Sequence, residues 1–83
     1  MYFTFSESAR KDFVKLPNKV KSGLKIKFIF WQNSDSVLDF AKPLTQHQVA
    51  THRFRFGPYR ILIKKTGEEL RILRIRHRKE VYR

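Results

Sequence analysis

The sequence has no cysteine, which excludes a disulfide framework and thiolate chemistry and fits a reducing compartment. Glycine and proline are scarce, three of each in 83 residues, and no glycine-rich phosphate loop can be drawn from them. Negative charge is scarce too. Seven Asp and Glu are scattered along the chain, so two-carboxylate hydrolysis and Mg²⁺-dependent nuclease chemistry lack their parts. His47 and His52 have no acidic or cysteine partner at ligand spacing, so no metal site and no cofactor are expected, and His52 reads as a packed or surface residue. No stretch approaches the roughly 20 apolar residues that span a bilayer, and the start, Met1-Tyr2-Phe3-Thr4-Phe5-Ser6, lacks a basic segment followed by an apolar one. The expectation is a soluble, cytoplasmic protein without a membrane partner.

Apolar residues make up 41% of the chain and aromatics 14%, enough for one modest core without metal or disulfide staples, so residues 1–83 read as one domain. Nineteen Lys and Arg against the seven acids give a net charge of +12. That density attracts polyanions, and nucleic acid is the leading partner class. The charge runs through the whole chain instead of gathering on one amphipathic helix, which argues against a membrane surface.

Tyr2 to Phe5 alternate as a short strand, and Ser6 is placed to cap a helix over Glu7 to Leu16 carrying Ala9, Phe13, Val14 and Leu16. Pro17-Asn18 stops that helix and suggests a fresh cap. From Lys19 to about Asn33, Val20, Leu24, Phe28 and Trp31 recur at helical spacing; a strand through Ile26, Phe28 and Phe30 is the alternative, and length favours the helix. The tight connection makes the two helices an antiparallel hairpin. Asn33 to Lys42 reads as loop, interrupted again at Pro43-Leu44. Val49 to Phe56 then alternates, with Ala50, His52, Phe54 and Phe56 on one face and Thr51, Arg53 and Arg55 on the other. Turns at Gly57-Pro58 and Thr66-Gly67-Glu68 separate two further strands, Tyr59 to Lys65 and Glu69 to about Ile75. The expected class is α+β, an N-terminal strand and α-hairpin packed on an antiparallel sheet of about four strands.

Two constellations carry possible chemistry. Arg53 and Arg55 must point the same way from a strand, Arg60 follows just beyond the Gly57-Pro58 turn, and Arg74, Arg76, Arg78, Lys79 and Arg83 crowd the end of the last strand. A solvated face is the bland reading. A guanidinium, however, offers phosphate a planar fork of donors that an ammonium does not. The second is Arg76-His77-Arg78-Lys79-Glu80-Val81-Tyr82-Arg83, which sets His77 among fixed positive charges that favour its neutral, basic form; the competing reading is a frayed basic tail. Tyr82 either anchors that tail or stacks on a base.

The order of elements, together with Leu16-Pro17, Arg53-Phe54-Arg55-Phe56-Gly57-Pro58-Tyr59-Arg60 and Ile75-Arg76-His77-Arg78-Lys79-Glu80-Val81-Tyr82-Arg83, resembles the RelE/ParE toxin superfamily over essentially the whole chain. The resemblance implies the toxin of a type II toxin-antitoxin system, neutralised by a cognate antitoxin. Its RelE branch implies a ribosome-dependent, metal-independent mRNA endonuclease that inhibits translation, with contacts to rRNA. Carried onto matching positions, it implies Arg60, Arg78 and Tyr82 as catalytic residues with His77 as a further participant, and Arg53 and Arg55 among the RNA-binding residues. Arg74, Arg76, Lys79 and Arg83 extend that basic surface. The alternatives are a gyrase inhibitor of the ParE branch, for which the same surface is a docking patch, and an inactive RNA-binding homologue.

Overall fold

The computed structural model describes residues 1–81. Strand β1 (Tyr2–Phe5) leads through Ser6 into α1 (Glu7–Val14), and α2 (Asn18–Gln32) follows at once. The Ser6 hydroxyl accepts from the Ala9 amide at 3.0 Å and donates to the Leu73 carbonyl at 3.0 Å, so one side chain both starts the helix and ties it to the last strand. The first helix closes two residues earlier than expected, because the amides of Lys15 and Leu16 turn back to the carbonyls of Asp12 and Phe13 in tighter, three-residue bonds. Asn18 is not the cap of α2 but its first residue; extended Pro17 holds the cap position, with no side-chain bond.

A 3₁₀ turn (Val37–Phe40) leads to the two-residue edge strand β2 (Lys42–Pro43), then β3 (His52–Phe56), β4 (Tyr59–Thr66), β5 (Glu69–His77) and the single-turn α3 (Arg78–Val81). The sheet runs β1-β5-β4-β3-β2. It is mixed, since β1 pairs with β5 in parallel while the other neighbours are antiparallel. A proline is tolerated in β2 because an edge strand has a side free of ladder bonds. The strand expected from Val49 begins only at His52, since the His47 Nδ1 accepts from the amides of Val49 and Ala50 and turns that stretch.

Helices cover one face of the sheet. Leu24, Phe28 and Trp31 of α2 are buried, at the spacing read from the sequence, against Phe54, Ile61, Ile63, Leu70, Ile72 and Ile75. Aromatic rings knit the layers together: Trp31 lies 4.6 Å from Phe54, and Phe3 lies 5.1 Å from Phe28.

One irregularity decides what the far end of β5 presents. Leu62 pairs with Arg74 but Ile63 pairs with Ile72, so Leu73 is an extra residue on β5. Side chains alternate across a strand, and a bulge flips the alternation beyond it. Leu70 and Ile72 enter the core before the bulge and Ile75 after it, which turns Arg76 away from the helices and His77 toward them.

Candidate nucleic-acid interface

On the face away from the helices, Arg55 pairs with Arg60 and Arg60 with Arg76, so three arginines stand in one row across β3, β4 and β5. At strand spacing the row is about 10 Å wide. Like charges directly opposite on a sheet repel, and at the end of this row Arg76 is paired with Glu80. Beside it, Arg53 pairs with Lys42 of the edge strand. Nothing in the local sequence around Lys42 marked it as part of this surface; only the sheet register does.

The hairpin tip forms the end of the row. Gly57 takes φ +56°, and Phe56 pairs directly with Tyr59, a two-residue turn that starts with a positive φ and therefore favours glycine. The Arg78 amide donates to the Pro58 carbonyl at 2.8 Å, fastening the start of α3 to the tip. The result is a groove of about 450 Å³ lined by Arg55, Gly57, Pro58, Arg60, Arg78 and Lys79. Among the described residues, Arg55, Arg78 and Lys79 have no carboxylate partner.

Arg74 and Arg76 of β5 each have a carboxylate partner. Asp12, on α1, accepts from Arg74 Nε at 2.9 Å, from Arg74 Nη2 at 3.2 Å and from the Ile75 amide at 2.9 Å, so one carboxylate satisfies the strand edge and a guanidinium fork together. Hydrogen bonding to Asp12, against the smaller opposing effect of burial, raises Arg74 above the ordinary guanidinium range. Arg76 Nε donates to Glu80 at 2.8 Å across one turn, a pairing that the four-residue spacing signals.

The structure therefore brings together Arg55, Arg60, Arg78 and Lys79, sets Arg76 at the end of their row and Arg53 beside it, and engages Arg74 at the junction with α1. His77 is not in this group. It pairs with Tyr59 across the sheet, on the helix-covered side, with the two rings 5.2 Å apart and edge to face. Tyr82 and Arg83 lie outside the described residues. His52 sits on β3 opposite Ile63, where burial and then the charge of Lys65 lower its pKa below the ordinary imidazole value. Among the described residues no three His, Asp or Glu side chains gather as metal ligands, and no helix is long and apolar enough to cross a membrane.

Comparison with known proteins agrees with this architecture. The family model described as the ParE toxin of the type II toxin-antitoxin system parDE matches residues 3–82. Toxin RelG of Mycobacterium tuberculosis is 35% identical over 81 residues, covering 95% of this chain and 92% of that protein. Toxin RelE3 of Methanocaldococcus jannaschii is 31% identical over 86 residues, covering 99% and 96%. Among solved structures, the toxin-antitoxin complex RelBE2 from Mycobacterium tuberculosis superimposes with a TM-score of 0.74 at 32% identity, covering 92% of this chain and 95% of the matched one. With strand order, core and basic groove in place, the chain belongs to the RelE/ParE superfamily, the toxins of type II toxin-antitoxin systems.

Proposed function

We propose that this toxin is a ribosome-dependent mRNA endonuclease that stops translation by cutting the message. The observation that carries the reading is the groove at the β3-β4 tip, where Arg55, Arg60, Arg78 and Lys79 converge. The names of the similar proteins RelG and RelE3 support the RelE side of the superfamily.

Cutting RNA without a metal uses the 2′-hydroxyl as the internal nucleophile. Its oxygen bonds to phosphorus, the bond from phosphorus to the 5′-oxygen breaks, the 2′ proton passes to a base and the leaving 5′-oxygen takes a proton, which leaves a 2′,3′-cyclic phosphate. Arginines suit the phosphorane-like charge of the transition state because their donors are fixed before it forms. Arg60 and Arg78 stabilise that charge, Arg53 and Arg55 hold the backbone with Lys79, and Arg74, Arg76 and Arg83 extend the surface toward neighbouring phosphates and rRNA. Tyr82 assists proton transfer. A groove so cationic also invites a covering partner in the resting cell, an antitoxin whose acidic and apolar residues fold onto the toxin as they bind. The solved relatives described as toxin-antitoxin complexes support that partner.

Primer extension on programmed ribosomes tests the reading. Wild-type protein should cut only ribosome-bound message, and Arg60→Ala or Arg78→Ala should lower the rate by about 100-fold or more, the usual effect of removing a transition-state donor. Lys27→Ala, the same loss of charge on the helix layer, should stay within about threefold. Intact message together with blocked gyrase supercoiling would move the assignment to the ParE branch, and intact message with RNA still bound would make the chain a binding homologue.

A further inference from the structure

The four residues of α3 are too few to hold a helix by themselves, because one turn fixes several torsions for a single internal bond. Three contacts from outside or across the turn hold it. The Arg78 amide is bound by Pro58, Glu80 pairs with Arg76, and the Lys79 amide donates to His77 Nδ1 at 3.2 Å. The last is a cap: a side-chain acceptor on the residue before the helix takes one of its orphan amides, a role usually filled by Ser, Thr, Asp or Asn. The imidazole packs perpendicular to the Tyr59 ring and lies in a groove of about 280 Å³ shared with Asp12, Lys15, Leu16, Pro17 and Glu80, on the side of β5 opposite the row of arginines.

We infer that His77 is a positioning residue and a pH-sensitive latch: its neutral imidazole caps α3, and α3 sets the direction in which Arg78 enters the cationic groove. The inference rests on the reading of Arg78 as a residue of the RNA site. Only an imidazole with its proton on Nε2 offers a lone pair at Nδ1; the doubly protonated ring is a donor at both nitrogens and faces the Lys79 amide with a hydrogen. Among the described residues, the charged and titratable groups around the ring are Asp12 and Lys15 from α1 and its end, Tyr59 from β4, and Lys79 and Glu80 from α3. Both carboxylates are already committed, Asp12 to Arg74 and Ile75 and Glu80 to Arg76. Acid therefore releases the latch, and α3 loosens as the ring takes its second proton.

The test uses the full chain labelled with ¹⁵N and ¹³C, in wild-type, His77→Asn and His77→Ala forms. Asparagine keeps a capping acceptor and cannot titrate. Wild-type protein should show helical carbon shifts for residues 78–81 in mildly basic solution and have them weakened in acid, toward those of the Ala variant. The Asn variant should keep them in both, and the Ala variant should be weakened in both. In the ribosome assay at about pH 8, Ala should slow cleavage by about five- to tenfold, the worth of one cap, and Asn should restore it to within about threefold. Helical shifts that survive in the Ala variant, or wild-type shifts untouched by acid, would overturn the latch. An Asn variant with α3 intact yet cleavage as slow as Ala would make His77 a proton-transfer group instead. Should wild-type protein cut no message, the RNA reading fails while the shifts alone decide the latch.

Discussion

The two tight turns of the strand meander share a backbone and differ in charge. Gly57 at φ +56° opens the β3-β4 tip and Gly67 at φ +60° opens the β4-β5 tip, each in a two-residue loop between directly paired strand ends. Around the first stand Arg55, Arg60, Arg78 and Lys79. Around the second stand Glu68, which pairs with the amino terminus at 3.3 Å, and Glu69, which accepts from the Thr4 hydroxyl at 2.9 Å. Asp35 and Asp39 share a polar groove with Glu68. Four of the seven acids thus gather at one end of an eight-residue strand and none of those four at the other. Both turns open on a glycine of positive φ, so the difference lies in the side chains: the carboxylates near Gly67 stand among Lys64, Lys65 and Arg71, whereas Arg55, Arg60, Arg78 and Lys79 line the groove at the Gly57 end.

Removing one acid at each end tests how differently the two are built. Asp12→Ala strips the Ile75 amide and the half-exposed Arg74 fork of their acceptor; unfolding in urea should show a loss of about 1–2 kcal/mol, most of it from the Ile75 amide. Glu68→Gln breaks an exposed pair and should cost no more than about 0.5 kcal/mol. Equal losses would mean that the cationic end is not held together by its few carboxylates.

The paired glycines separate fold from function. A Cβ added at Gly57 or Gly67 would meet no atom within 4 Å, so alanine at either is opposed by backbone strain alone. Each should cost about 1–2 kcal/mol. Only Gly57→Ala should also slow cleavage, by about tenfold, because the misplaced tip carries Pro58 and with it the start of α3. A similar slowing in Gly67→Ala would show that the acidic end takes part in the chemistry.

Much of this was legible in the sequence and some of it was not, for one physical reason. Local periodicity carried the face of α2, the Ser6 cap and the alternation of Arg53 and Arg55 against Phe54, since each depends on neighbours within a few residues. The parallel pairing of β1 with β5, the two-residue β2 and the reach of Asp12 to a strand 63 residues away depend on tertiary meeting points. The bulge at Leu73 had the largest consequence for the site. A strand alternating unbroken from Leu70 would send Arg76 into the core and His77 outward; the extra residue exchanges them, placing Arg76 in the row with Arg60 and His77 beside Tyr59. Two adjacent apolar residues, Ile72-Leu73, are the faint trace it leaves in the sequence. The basic residues were therefore found by composition, but their division between the two faces was not.

The smallest expected effect bears on why the arginine row exists at all. Arg55 stands directly opposite Arg60, and Arg60 opposite Arg76, in the free toxin. If the row is kept for an anion and not for folding, Arg55→Gln should raise stability by about 0.5 kcal/mol at low ionic strength while weakening RNA binding. The gain should fade toward about 1 M salt, where screening shortens the reach of each charge to about 3 Å. Glu69→Gln at the opposite tip provides the contrast, because Glu69 pairs with Thr66 and not with a like charge, so no gain is expected there. A loss of stability in Arg55→Gln would mean instead that the arginine's aliphatic stem packs on the sheet strongly enough to outweigh the repulsion, and that the row is part of the fold before it is part of the site.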